Sequence, residues 1–108
     1  MSAGRRPFLI AVERAVETRN DLNEPVKVWS TFCEEYAGVY FGSGAEQRTA
    51  AQTQGQQAAS FEVLSNSATR AVTVTDRIVF DGSVWEIRSI SSIGFNEGVK
   101  INAVRAVP

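Results

Sequence analysis

The sequence predicts a mainly β fold: a small single-domain β-barrel or sandwich of about six antiparallel strands, with one short helix in a long inserted loop. Most of the chain alternates apolar and polar residues with the two-residue period of a strand. Turn-forming residues separate these segments at short intervals. The length of 108 residues fits one hydrophobic core. We therefore expect one domain over 1–108, with a polar loop and helix inserted at 42–59.

The first two predicted strands are the longest. Residues 7–19 fit a helix as well as a strand, but their β-branched content and the polar turn cluster that follows favour a strand. Residues 26–41 read as one long strand with aromatic side chains on both faces, since Trp29 and Tyr36 alternate to opposite sides. Such a strand either lies between two layers or reaches a second subunit. Gly38 is a candidate for a bend or bulge.

The last part of the chain reads as short strands joined by tight turns. The strongest turn signals are Asp81-Gly82 and Asn96-Glu97-Gly98. The strand segments around these turns are 60–65, 72–75, 77–80, 84–91 and 99–107. The aromatic residues that we expect to anchor the core are Trp29, Phe61, Phe80 and Trp85.

The inserted segment has a different composition from the rest of the chain. From Gly42 to Ser60 the only hydrophobic side chains are alanines. Ser43 and Glu46 stand at capping-box spacing and Gly55 would end a helix, which predicts a helix over about 44–54. A helix of that length with an alanine face is marginal in water. We therefore expect contact with a partner to order this segment.

The composition disfavours an enzyme. The chain has no histidine and one cysteine, which removes the commonest general base, most zinc sites and any internal disulfide. Cys33 lies in an apolar strand and reads as a small apolar side chain rather than a nucleophile. Glu34 and Glu35 point to opposite faces of a strand and do not converge on one substrate. We predict no catalytic residue, no cofactor and no metal.

Two polar loops are more simply read as turns than as ligand sites. The oxygen-rich segment 20–24 lacks the spacing and the glycine of a calcium-binding EF-hand loop. The segment 42–44 contains Gly-x-Gly but lacks the lysine and hydroxyl residues of a phosphate-binding P-loop.

The charge is balanced along the chain. Residues 1–54 carry six basic and seven acidic side chains, and residues 55–108 carry five of each. This distribution is unlike that of a net-basic nucleic-acid binder. No apolar run approaches the length of a membrane span, and Glu13 and Arg14 interrupt the only signal-like run. We expect the mature chain to start near Met1, to be made in the cytoplasm and to have no membrane partner.

The order of the motifs resembles that of a known family. The motifs are Tyr36-Ala37-Gly38-Val39, Gly44-Ala45-Glu46, Phe61-Glu62-Val63, Asp76-Arg77-Ile78-Val79-Phe80-Asp81-Gly82, Trp85-Glu86-Ile87 and Ser89-Ile90. In this order they resemble the head–tail joining proteins (head-closure or stopper proteins) of tailed bacteriophages and gene transfer agents, from about Trp29 to Ile90 and more loosely to Val107. The chain departs from the family in having Tyr36 where members often have tryptophan, and Leu64-Ser65-Asn66 where many have a basic cluster.

The resemblance implies a small β-barrel in a virion or phage-like particle. It implies a homo-oligomeric ring between the adaptor ring on the portal and the terminator ring on the tail side. Such a ring closes the DNA channel after packaging, provides the surface on which the tail docks and makes non-specific contact with packaged DNA. The residues that we assign on this basis to a partner or channel loop are Ser43, Glu46, Gln47, Arg48, Gln52, Gln54, Gln56 and Gln57.

Two other functions stay open. The chain would also suit a neighbouring connector or tail-terminator ring. A free OB- or SH3-like barrel that binds single-stranded nucleic acid is the alternative from another class.

Overall fold

Six antiparallel strands form a closed barrel in the computed structural model, which describes residues 7–42 and 55–106. The strands are β1 (Phe8–Arg19), β2 (Pro25–Phe41), β3 (Gln56–Leu64), β4 (Arg77–Phe80), β5 (Ser83–Ile93) and β6 (Gly98–Ala106). A short 3₁₀ turn, Thr69–Ala71, precedes β4. The strand order is β1-β2-β3-β6-β5-β4, and pairing of β4 with β1 closes the barrel. The predicted mainly β fold is confirmed.

The turn between β4 and β5 has the backbone that its sequence predicts. Asp81 and Gly82 both have positive φ, at 56° and 70°. A two-residue hairpin of this type needs the left-handed region at both positions, which Asp-Gly adopts readily. The Asp81-Gly82 hairpin is therefore confirmed.

The core lies inside the barrel and is lined by alternate residues of the strands. Its largest fully buried side chains include Trp85 and Phe61, whose rings meet edge to face at 5.3 Å between centroids. The indole N–H of Trp85 donates to the carbonyl oxygen of Phe80 at 3.2 Å. The Phe80 ring is partly buried and packs against this cluster.

Trp29 does not belong to the core, contrary to the expectation from its size. It is half-buried, and the Arg77 guanidinium lies 4.1 Å above its ring. It pairs with Ala15 in a part of the β1–β2 ladder that has passed the last β1–β4 pair, at Glu13 and Arg77. Ala15 lies on the side of β1 opposite to the buried Ile10 and Val12, so the indole lies on the outer face of the sheet, beside Arg77.

The boundaries of two other predicted elements also differ. Residues 72–75 form a turn rather than a strand, because Asp76 accepts the N–H of Thr73 at 2.8 Å and donates its own N–H to the carbonyl of Thr73. Strand β3 begins at Gln56 rather than Ser60, so 56–59 belongs to the barrel and not to the insertion. These four residues have weak strand preference, but the ladder with β6 supplies their hydrogen bonds. The predicted helix over 44–54 lies outside the described residues.

Strands β1 and β2 continue well beyond the barrel as a two-stranded arm. We define the arm as residues 14–30: the β1–β2 ladder beyond the last β1–β4 pair, and the tip that joins the two strands. A bulge at its base inserts Phe32, because Val12 pairs with Cys33 while Glu13 pairs with Thr31. The bulge therefore lies here and not at Gly38, which pairs regularly with Glu62. The arm contributes to the elongated shape of 51 × 36 × 20 Å.

Candidate functional site

Both ends of the insertion are attached to the barrel. Phe41 pairs with Ala59, and the Gly42 N–H donates to the carbonyl of Ala58 at 3.4 Å. Gly55 has a φ of 62°, which is the left-handed conformation that suits glycine just before β3 starts. The two ends of the insertion therefore lie next to each other, on the paired strands β2 and β3.

The structure separates the residues that the sequence assigned to the partner loop. Gln57 is part of the barrel: its side-chain oxygen accepts from Arg105 Nε at 2.8 Å. Arg105 also donates to Ser83 and lies 4.7 Å from the ring of Trp85. Gln56 is the first residue of β3. The other six, Ser43, Glu46, Gln47, Arg48, Gln52 and Gln54, lie outside the described residues.

A groove of about 490 Å³ opens beside the insertion, on the outer face of the barrel. Two of its lining residues are hydrogen-bonded, since Ser60 donates to Asn102 at 2.7 Å, and Asn102 in turn donates to Ser89, beyond the lining, at 2.8 Å. Among the described residues that line it, Arg88 and Lys100 are the charged ones. The lining residues are Tyr40, Phe41, Gly42, Ala58, Ala59, Ser60, Arg88, Lys100, Asn102, Ala103 and Val104. The groove combines cations with apolar walls, which suits an acidic and apolar partner segment.

An ion pair fixes the base of the arm. Arg14 donates to both carboxylate oxygens of Asp76 at 3.0 Å and to the carbonyl of Ala71 at 2.8 Å. The same guanidinium lies 3.8 Å from the ring centre of Phe32. Burial raises the pKa of Asp76, but the hydrogen bonds from Arg14 and from the Thr73 N–H outweigh burial and leave the pKa below its usual value. The carboxylate is therefore held ionised.

Two further contacts hold the same region. Arg77 Nε donates to Glu13 at 2.7 Å, and the amide of Asn66 donates to Glu35 at 2.8 Å. Together with the Arg14–Asp76 pair they connect β1 and β2 to three different positions in 66–77. The arm itself is held against the barrel by Arg14, which bonds to Asp76, and by Trp29, which lies under Arg77.

The tip of the arm is organised by Asn20. Its side-chain oxygen accepts the N–H groups of Leu22 and Glu24, each at 2.9 Å. Its backbone N–H donates to the carbonyl of Glu24 at 3.1 Å. The predicted turn at 20–24 is confirmed, and it presents the Leu22 side chain 78% exposed.

We expect Asn20→Ala to loosen the tip and leave the barrel intact. The substitution removes the acceptor of two N–H groups, each worth about 0.5–1.5 kcal/mol. Amide hydrogen exchange at Leu22 and Glu24 should accelerate, while exchange in β3 and β6 stays unchanged. Asp21→Ala is the control in the same turn and should leave the exchange rates as they are. Equal acceleration in both variants would contradict this role of Asn20.

The described residues offer binding surfaces and no assembled catalytic group. No cluster of three metal-ligating side chains occurs in 7–42 or 55–106. Glu34 is exposed and Glu35 is bonded to Asn66, on opposite faces of β2. Burial, and then the nearby Glu35, raise the pKa of the Cys33 thiol, which makes it a poor nucleophile. Within these same residues, no helix is long and apolar enough to cross a membrane.

Comparison with known proteins decides the family. Residues 1–105 match the model of the phage head completion protein family. The chain belongs to this family. Membership confirms the resemblance that the motif order indicates and makes the protein a structural component of the virion at the head–tail interface. No curated protein matches the chain.

Two solved structures share the fold. Protein SF1141 from Shigella flexneri 2a, a solution structure, has a TM-score of 0.72 and 18% identity over 97% of this chain and 96% of that chain. A chain of the virion of a native gene transfer agent particle has a TM-score of 0.70 and 20% identity, with 96% of this chain and 97% of that chain covered. At these identities the likeness is one of fold.

Sequence reasoning missed the arm, its ion pair and the groove. Arg14 and Asp76 are 62 positions apart, so no local pattern joins them. The groove combines residues of β2, β3, β5 and β6. One signal was available for the tip: Leu22 is an isolated apolar residue within a polar turn cluster.

Proposed function

We propose that the protein forms a homo-oligomeric ring at the head–tail interface, closes the DNA channel there after packaging and provides the surface on which the tail docks. The observation that carries the proposal is the polar insertion, whose two ends are fixed to neighbouring strands of a closed barrel. An attached loop of this kind keeps its place in a ring while its middle contacts DNA or a neighbouring ring. Membership of the phage head completion protein family supports this role.

The charge and composition of the insertion suit a channel element. Between 42 and 60 the chain has one acidic and one basic side chain, Glu46 and Arg48, among glutamine, alanine, glycine, serine and threonine. A surface without net charge does not trap the DNA backbone electrostatically. On this proposal the partners are the adaptor ring on the portal side, the terminator ring on the tail side and, without sequence preference, the packaged DNA.

Removing the insertion tests this function. We expect deletion of 45–54, which joins Gly44 to Gly55, to leave the barrel folded because β3 starts only at Gln56. Particles assembled with the deleted protein should lose packaged DNA or fail to attach tails, as measured by electron microscopy and by the nuclease-resistant DNA per particle. A Gly/Ser segment of the same length at 45–54 is the control for loop length. Normal DNA retention together with normal tail attachment in the deleted particles would refute the proposal.

The alternatives predict different results. A tail-terminator ring would bind the tail tube in isolation and leave DNA retention unaffected by the deletion. A barrel for single-stranded nucleic acid would shift short oligonucleotides in a gel with strong salt dependence. The groove does not favour that alternative, because its described lining offers two cations, Arg88 and Lys100, whereas a barrel for single-stranded nucleic acid has a positively charged groove that follows the backbone.

A further inference from the structure

The tip of the arm presents an exposed leucine between two carboxylates. We define the knob as Asp21, Leu22 and Glu24. The hydrogen bonds to Asn20 hold the knob in one conformation, with Asn23 at a φ of 60° completing the turn. A turn whose backbone is ordered before binding loses little conformational entropy on docking. The knob therefore has the properties of a preorganised contact residue.

The face of the arm that continues the core side of β1 is also uncovered. Alternate residues of β1 share a side, so Val16 lies on the side of the buried Ile10 and Val12. Val16 pairs with Val28, and these side chains are 55% and 50% exposed. A two-stranded ribbon is marginally stable by itself. The arm thus has an apolar side, as well as a knob, that a partner can cover.

The groove of the barrel has the matching chemistry. Its charged described lining residues are both cations, Arg88 and Lys100, and its walls include Tyr40, Phe41 and Val104. Its volume of about 490 Å³ lies within the range of ligand sites in proteins. A leucine flanked by carboxylates complements apolar walls flanked by cations.

The knob and the groove of one chain lie far apart. Strand β2 starts next to the knob at Pro25 and reaches the groove at Tyr40. Fifteen residue steps along a strand cover about 50 Å at 3.3 Å each. This length is close to the longest extent of the molecule, 51 Å. A knob therefore reaches a groove only on another copy.

We propose that the knob of one copy docks in the groove of the next, with Asp21 and Glu24 facing Arg88 and Lys100. The contact uses two different surfaces, so each copy still offers a groove to one neighbour and a knob to the other. Contacts of this head-to-tail kind close into a ring when the rotation between copies allows it. The inference rests on the proposed ring and names the surfaces that join its subunits.

Disulfide trapping tests the contact directly. The chain has one cysteine, so Cys33→Ser gives a background in which Leu22→Cys and Val104→Cys are introduced separately. We expect an equimolar mixture of these two variants to form a disulfide-linked dimer under mild oxidation, while neither variant alone does so. A chain with both substitutions should form a ladder of multimers. Leu22→Cys mixed with Thr75→Cys, an exposed position outside the groove, is the matched control and should stay monomeric.

Charge reversal tests the complementarity. Lys100→Glu on the groove chain, or Glu24→Lys on the knob chain, should lower the yield of the trapped dimer about two- to fivefold, as expected for one exposed ion pair. Mixing the two reversed chains should restore the yield. Circular dichroism of each variant checks that the barrel is folded.

The outcomes separate this inference from the proposed function. The knob–groove contact would be overturned if Leu22→Cys alone formed disulfide-linked dimers. It would also be overturned if the doubly substituted chain formed an intramolecular disulfide and stayed monomeric. The knob–groove contact would also be overturned if the Leu22→Asp variant formed rings on purified connectors as well as the natural protein does. That result would not contradict the proposed function. A ladder in the trapping experiment, combined with normal particles after deletion of 45–54, would support the contact and refute the channel function.

Discussion

Replacement of Trp85 by alanine is expected to lower the free energy of unfolding by roughly 3–5 kcal/mol. The side chain is fully buried, contacts Phe61 edge to face and donates its indole N–H to the carbonyl of Phe80. Its removal leaves a cavity at the centre of a closed barrel, whose paired strands on all sides prevent collapse into the space. Equilibrium unfolding in urea measures the loss.

Trp29→Ala is the matched control. The same substitution at Trp29 removes an indole that lies on the arm under Arg77, outside the core cluster. We expect it to cost about 1 kcal/mol, comparable to an exposed cation–π contact. Equal losses at the two tryptophans would show that the arm is an energetic part of the core, contrary to the structure.

Asp76→Ala is expected to lower the free energy of unfolding by roughly 2–3 kcal/mol. The carboxylate side chain is 1% exposed and accepts from both Arg14 and the Thr73 N–H. Its loss leaves Arg14 without its ion-pair partner and Thr73 without its acceptor. The arm should also lose its fixed direction, which amide exchange around Glu13 and Arg14 would report. Glu86→Ala breaks the exposed pair with Arg88 and should change stability by less than about 0.5 kcal/mol.

The pH dependence of Asp76 follows from the direction of its pKa. The pKa of Asp76 is lower in the folded protein than in the unfolded chain, so the ionised group stabilises the fold above the unfolded value of about 3.9. This stabilisation is lost as the pH falls through the folded pKa. Unfolding experiments from pH 7 to pH 2 should show a steeper loss for the natural protein than for Asp76→Asn. If the stability of the natural protein and that of Asp76→Asn fell in parallel with pH, the lowered pKa of Asp76 would be contradicted.

The knob–groove contact and the channel insertion assign different tasks to the two ends of β2. On these proposals the end of β2 at the knob contacts the groove of a neighbouring copy, and the other end both borders the groove and leads into the insertion. A long strand whose both faces carry aromatic side chains was one sign of such a bridging element. For residues 26–41 the sequence left two interpretations open: a strand between two layers, or a strand that reaches a second subunit. The extension of β2 past the barrel agrees with the second interpretation, which the trapping experiment tests.

The strands and their turns were predictable because the responsible signals are local. Alternation along β5 and β6 places Trp85 and Ile101 on the buried side, and Asp81-Gly82 supplies the backbone of the hairpin between β4 and β5. The first four residues of β3, 56–59, were not predictable as a strand. They have weak strand preference, and their pairing with β6 holds them in the sheet. Residues 72–75 form a turn for a different and local reason, since the Asp76 carboxylate accepts the N–H of Thr73.

The sequence by itself determined a small mainly β domain without histidine, with a polar insertion and with the motif order of its family. Only the tertiary structure decided the strand order, the closure of β1 on β4, the arm, and the placement of Trp29 outside the core. Strand periodicity and turn type depend on neighbouring residues, whereas these features depend on which distant segments pair. Where a strand outlasts its neighbour, as β1 outlasts β4 after Glu13, the same alternating pattern that fills a core produces an exposed arm.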